Sequence, residues 1–218
     1  MFIGHFAVAF AARRAAPAVS LGTLFVACEL VDLLWPVMLL IGWETVRIAP
    51  GITAFTPLDF THYPWTHSLA MCAVWALALA AVYRAFRPDT RGAIIIALVV
   101  LSHWFLDALS HRPDLPLAPG GEVRVGAGLW NSIPATLAVE LAMFAIAIAL
   151  YLRSSRARDR AGVIGLWALL AVLLASYFGA AFGPPPPNVD AIAWAGLAGG
   201  ALMSGWGYWI ERHREMRR

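Results

Sequence analysis

Six long apolar stretches dominate this chain, at about residues 20–43, 66–84, 92–111, 129–152, 161–183 and 190–210. A helix needs roughly 20 apolar residues to cross the hydrocarbon core of a bilayer, and each stretch is close to that length. A chain with six such segments is best accommodated by lipid as its solvent. The composition agrees: 61% of residues are hydrophobic and only 13% charged, whereas soluble domains carry about a quarter charged residues. The expected fold is therefore all-α. It is a polytopic membrane helix bundle of about six transmembrane helices, forming one integral membrane domain over 1–218. One further apolar segment, 2–12, is too short to cross alone and is expected as a short N-terminal helix, packed against the bundle or lying at its interface.

All 16 basic residues are arginines, and they gather at the ends of the apolar runs rather than in a nucleic-acid-binding face. Arg13 and Arg14 precede the first long stretch. Arg84, Arg87 and Arg91 follow the second, Arg153, Arg156, Arg158 and Arg160 the fourth, and Arg212, Arg214, Arg217 and Arg218 the last. The alternate connections hold only Arg47, then Arg112 and Arg124, then none. The positive-inside rule makes the arginine-rich set cytoplasmic, with the C-terminus inside a bacterial inner membrane. Met1 to His5 lacks a basic leader region, so no cleavable signal peptide is expected. Cys28 and Cys72 stand singly in apolar runs and read as buried small residues without a disulfide.

Local signals organise the connections. Thr56-Pro57-Leu58-Asp59 has the pattern of a capped surface helix, with Asp59 in its first turn. Thr66 is expected to cap the second span, which would place His67 in that span's first turn. Gly183 to Pro187 reads as a stiff extended connector ended by Asn188 and Asp190 as caps. Gly196, Gly200 and Ser204 form a small-residue stripe for close packing, either within the bundle or in a homo-oligomer. Trp206, Tyr208 and Trp209 make an inner aromatic belt.

The informative residues are the polar ones inside apolar stretches. Glu29 and Asp32 lie three apart in the first, His103 and Asp107 four apart on one helical face in the third, and Glu140 near the middle of the fourth. A charge at mid-membrane costs about 2.5–3.5 kcal/mol, and no arginine falls mid-helix to offset it. Either the acids are protonated or a bound metal cation balances them. The histidines favour a cation, because His5, His67 and His103 fall on the same side of the membrane as Asp32 and Asp107. That set suits a divalent metal, zinc first, with manganese or iron as alternatives. His111, one turn beyond Asp107, is expected to line the mouth, hold a second ion or meet the substrate. Glu29 and Glu140 are candidates for a general base, or for protonated acids hydrogen-bonded between helices. His62 and His213 read as surface residues.

Gly4-His5, Asp32, the run His62-Tyr63-Pro64-Trp65-Thr66-His67-Ser68 and the run Ser102-His103-Trp104-Phe105-Leu106-Asp107 resemble a bacterial family. It is the family of inner-membrane-associated metal-dependent hydrolases, some described as LexA-binding. Its hallmark, a His shortly before Thr-His-Ser and then Ser-His-x3-Asp, falls on His62, Thr66, His67, Ser68, Ser102, His103 and Asp107. The family's proline- and aspartate-rich element reads Glu29-Leu30-Val31-Asp32 here. The resemblance covers about residues 1–112 and implies a distant likeness to zinc-dependent phospholipase C. It divides the chain into a metal-site half and additional spanning helices over 127–213.

The resulting expectation is a membrane-embedded metal-dependent hydrolase. Its metal would be held by His5, Asp32, His67, His103 and Asp107, and its substrate would be an amphiphilic or lipid-like ester or phosphoester. The alternatives are a cation- or proton-coupled transporter using the same residues, supported if broken helices stand at matching positions of two repeats, and a structural subunit locked by its polar cluster.

Overall fold

The structure is a computed structural model that describes residues 1–217; Arg218, counted above among the C-terminal arginines, lies outside the described residues. It is an all-α bundle. The helices are α1 (Ile3–Ala15), α2 (Leu21–Cys28), α3 (Leu30–Leu40), α4 (Pro64–His67), α5 (Leu69–Phe86), α6 (Thr90–Ser110), α7 (Ile133–Ser154), α8 (Arg160–Phe182) and α9 (Val189–His213). Three short antiparallel pairs decorate the connections. They are β1 (Thr45–Ile48) with β2 (Leu58–His62), β3 (Leu115–Pro116) with β4 (Arg124–Val125), and β5 (Ser155–Ala157) with β6 (Arg214–Met216).

The long helices begin where a short polar side chain can take an orphan N–H. Ser20 accepts from Thr23 N at 3.1 Å, Ser68 from Met71 N at 3.2 Å and Asp89 from Gly92 N at 2.9 Å. Asp159 accepts from Gly162 N and Asn188 from Ala191 N, both at 2.8 Å. Each such cap is worth about 1 kcal/mol. α1 has no cap of its own. Its free N–H groups at Phe2 and Gly4 go instead to Glu140 Oε2 of α7, at 2.9 and 3.0 Å.

Four helices, α5 to α8, are long and apolar enough to cross a membrane, and a fifth crossing is made if α2 and α3 count as one. This corrects the expected six. The first stretch is not one straight helix: it breaks at Glu29, and its halves diverge by 52°. The last, α9, has the length at 25 residues, but its glycines and aromatics keep it below the apolarity of the other four. The N-terminal segment packs inside the bundle rather than at its interface, since Ile3, His5, Phe6, Ala9 and Phe10 are all buried against α2, α6 and α7.

Two local expectations also change. Thr56 to Asp59 opens no helix; Leu58 enters β2, where Asp59 faces Arg47 of β1 at 2.5 Å and also pairs with Arg112. A cross-strand ion pair drawing on a distant arginine outweighs the local cap pattern. Thr66 does not cap the second span; Ser68 does, and His67 ends the short α4 just before it.

The small-residue stripe is used within the chain. A side chain at Gly200 would strike Leu33, and Gly196 lies against Pro36, so α9 closes directly onto α3. Cys28 and Cys72 are buried and free.

Candidate metal centre

The broken helix places the first carboxylate. Ending α2 at Cys28 and restarting α3 at Leu30 puts Asp32 in the first turn of α3, where the positive end of the helix dipole favours an anion. The break also turns the Cys28 carbonyl toward α6, where it takes His103 Nδ1 at 2.7 Å. A carbonyl only accepts, so Nδ1 carries a proton, and in the neutral ring the Nε2 lone pair would face the interior. That Nε2 is buried and, among the described residues, has no hydrogen-bond partner.

His67 is oriented by a different device. Glu44, 1% exposed in the connection after α3, accepts from Trp65 N at 2.7 Å, Thr66 N at 2.9 Å and Thr66 Oγ1 at 2.7 Å. The Thr66 hydroxyl hydrogen is therefore spent on Glu44, and Thr66 Oγ1 accepts from His67 Nδ1 at 2.7 Å. Again the Nε2 lone pair faces inward. Carboxylates that fix the tautomer of ligating imidazoles in this way are a regular part of metal sites.

Both lone pairs meet carboxylates. His103 Nε2 lies 3.1 Å from Asp107 Oδ2 and 3.7 Å from Asp32 Oδ2, while His67 Nε2 lies 3.1 Å from Asp32 Oδ1 and 3.9 Å from Asp107 Oδ2. His5 Nε2 is 3.2 Å from Asp107 Oδ1, and its ring stacks parallel on that of His103 with centroids 3.7 Å apart. Bonds of about 2.0–2.2 Å to one zinc ion put ligand atoms roughly 3–4 Å from one another, the spacing seen here. Two trios, His5–His103–Asp107 and Asp32–His67–His103, meet the spacing for a metal, and His103 belongs to both. All five ligand candidates read from the sequence thus converge.

Among the described residues one cation reaches this cluster: the Met1 nitrogen donates to Asp107 Oδ1 and, at 3.1 Å, meets Ser110 Oγ. It balances at most one of the acids.

The remaining candidates separate. His111 closes α6 with Nδ1 at 3.0 Å from Asp114 Oδ1 and Nε2 at 4.0 Å from Asp107 Oδ2. Asp114 also accepts from the Tyr63 hydroxyl at 2.8 Å and from Arg112. Burial alone would raise the Asp114 carboxyl, but the hydrogen bonds from His111, Tyr63 and Arg112 outweigh it and hold the group below the ordinary carboxylate range. Glu29 stands at the helix break, 8% exposed, on the wall of a cavity it shares with Asp32, His67, Asp107 and His111. Glu140 does not line that cavity; it is the cap of α1 and holds the helix that carries His5. A role as general base therefore does not fit Glu140. His62 is exposed and His213 pairs with Asp159 at the far end of the bundle.

The cavity measures about 470 Å³ and is walled by Phe6, Trp35, Phe60, Trp130 and Met203, with the histidines and carboxylates grouped on one side. Glu44 is the residue that sequence reasoning missed. It resembles any acid following a span, and its meaning appears only once the Thr66-His67 turn folds over it.

Residues 1–184 match the YdjM inner membrane protein family. The chain belongs to that family. The match to YdjM runs well beyond residues 1–112 and stops just ahead of α9, the helix that supplies Ile192, Gly196, Gly200 and Met203 to the cavity wall. No curated protein matches the chain, and no solved structure does.

Proposed function

We propose that this YdjM-family chain is a membrane-embedded hydrolase that uses a divalent metal, zinc first, against an amphiphilic ester. One observation carries the reading. Two imidazole lone pairs, each fixed by a hydrogen bond on the opposite ring nitrogen, face two carboxylates at 3.1 to 3.9 Å. Acceptor facing acceptor is repulsive unless positive charge lies between them. His67, His103, Asp32 and Asp107 would hold the ion, with His5 beside them. A bound zinc ion polarises a carbonyl and makes an attached water acidic near neutral pH.

The chain's own residues supply the rest. Glu29, on the cavity wall, accepts the proton of the attacking water. His111, its Nδ1–H given to Asp114, has Nε2 free to hold a proton and pass it to the departing alcohol oxygen. The apolar walls take the alkyl part of the substrate and exclude bulk water. Ester and water enter; acid and alcohol leave.

The site lies at the arginine-poor end of the bundle, which we assign to the outer face, with the C-terminus cytoplasmic. A cysteine at position 122 should then be labelled from outside and one at 156 should not; the reverse pattern inverts the assignment. For the activity, purified wild type should contain metal and cleave acyl esters of long-chain alcohols or glycerol, and His103→Ala should lose both. Metal without hydrolysis would favour a cation carrier, to which the single broken helix α2–α3 is also suited. Unchanged metal content in His103→Ala rejects the site.

A further inference from the structure

We propose that the cavity is filled from the side: the acyl chain of a bilayer lipid passes between the outer halves of α8 and α9, and the Gly183–Pro187 connector holds that gap open. The inference rests on the reading of this cavity as the substrate site, and it narrows the substrate to a lipid already in the membrane. At their arginine-rich ends the two helices are pressed together. His213 Nδ1 lies 2.8 Å from Asp159 Oδ2. A Cβ added at Gly162 would come within 2.1 Å of the His213 carbonyl oxygen, and one at Gly165 within 2.2 Å of the Trp209 ring. Toward the other ends the contact is lost. Among the described residues, a Cβ at Gly179 of α8 or at Gly199 of α9 would meet nothing within 4 Å. Ser176 and Ala180 of α8 and Ala195 of α9 line the cavity, yet all three are exposed. Residues that line a cavity and are exposed at the same time mark its mouth.

The connector accounts for the gap. The backbone is extended at Gly183 and Asn188, and the four prolines between them favour the polyproline form, which rises about 3.1 Å per residue. Four such residues reach about 12 Å, beyond the roughly 8–10 Å between the axes of packed helices. Glycine keeps the mouth clear. Gly196 and Gly200 are needed for the approach of α9 to Pro36 and Leu33, but no neighbour requires a glycine at 199, and its missing side chain leaves the opening free. Depth decides what enters. Ser176 and Ala180 stand about 9 and 3 Å below the end of α8 at Phe182. That places them within the hydrocarbon core, roughly 30 Å thick, which this helix is long and apolar enough to cross. Exposed Phe178, Phe182 and Trp194 lie on the same stretches of the two helices. A mouth at that depth meets acyl chains, and a lipid drawn through it carries its ester toward Asp32 and His67.

The test uses a monoacylglycerol with a diazirine at mid-chain, photolysed with the full chain in nanodiscs, and peptide mass spectrometry locates the adducts. Wild type should carry adducts on the cavity wall at Trp35, Phe60 and Met203, besides those at the exposed Ile164 and Trp167. Gly199→Trp should cut the wall adducts at least about tenfold and leave those at Ile164 and Trp167 in place. Ala180→Trp, on the opposite lip, repeats the test if Gly199→Trp fails to insert. Gly205→Trp, also with room for a side chain but outside the cavity, should leave the wall adducts unchanged. Wall adducts that persist in the two lip variants overturn the proposal, because the lipid then enters elsewhere. Wall adducts that never form, as when a second copy closes the gap, overturn it too, and so does an equal loss in Gly205→Trp. Metal content on the same samples separates the two readings. Wall adducts that Gly199→Trp removes, on protein without metal, sink the hydrolase and leave the lateral mouth. Metal without wall adducts does the reverse.

Discussion

The two ends of the bundle use the same residue types to opposite effect. At the arginine-rich end three acids find a basic partner, while Asp89 accepts from Gly92 N and the Tyr83 hydroxyl. Glu211 takes Arg13 at 2.8 Å, Glu215 takes Arg156 at 2.6 Å and Arg158 at 3.2 Å, and Asp159 takes His213 at 2.8 Å. Arg214, buried, is spent on the Gly162 carbonyl and on Ser155 Oγ, tying β6 to the start of α8. At the other end, the histidines are turned by Cys28 and by Glu44 through Thr66, so that their lone pairs confront Asp32 and Asp107. The first end is complete in itself and holds helices together. The second sets imidazoles against carboxylates at 3.1 to 3.9 Å, where the proposed ion would sit.

If that difference is real, changes at the second end should move metal binding and changes at the first should not. Asp32→Asn gives the largest effect. It keeps size and removes the charge, so metal affinity should fall by more than about a hundredfold, beyond the 10–100-fold usual for outer partners. The protein should still insert, because a neutral amide is cheaper in a bilayer than a carboxylate once the ion is gone. Full metal occupancy in this variant would remove Asp32 from the site.

Glu44→Gln comes next. It releases His67 Nδ1 from its chain of hydrogen bonds without touching any ligand atom, and metal affinity measured by chelator competition should drop about 10–100-fold. No change would mean that packing alone orients His67.

The smallest effect belongs to the β5–β6 end. The hydrogen bond from His213 holds Asp159 below its ordinary 3.8, and the hydrogen bond from Arg156 holds Glu215 below its ordinary 4.5. Depressed acids contribute stability that is present above those ordinary values and is lost as pH falls through the lower folded ones. The protection factors of Arg156 and Glu215, corrected for the pH dependence of intrinsic amide exchange, should therefore be unchanged from pH 7 to 5 and fall modestly below about pH 4. Fraying already at pH 6 would show that the carboxylates are not what holds this pair.

The legibility of the site followed the cost of its residues. Asp32, His103 and Asp107 stand out in a sequence because apolar runs rarely tolerate them, and helical spacing alone joins His103 to Asp107. Asn188 caps α9 where the sequence places it, whereas the second span opens at Ser68, two residues after the expected Thr66. The break at Glu29 was not legible: neither glycine nor proline marks it, and Pro36 stands well inside α3. What stabilises the break is long-range, the Cys28 carbonyl meeting His103. Thr56-Pro57 misled for the same reason, since Arg47 and Arg112 decide the fate of Asp59. Glu140 looked like a catalytic acid because a span hides what lies beside it, here the bare N–H groups of α1.

The most direct test is X-ray absorption at the metal edge on protein extracted without chelators. The account predicts about one divalent ion per chain, with a nitrogen and oxygen shell near 2.0–2.2 Å and the outer scattering of at least two imidazoles. A sulfur shell near 2.3 Å would move the ion to Cys28 or Cys72, and a chain that binds no metal would leave the facing lone pairs and carboxylates to be reconciled by protons alone.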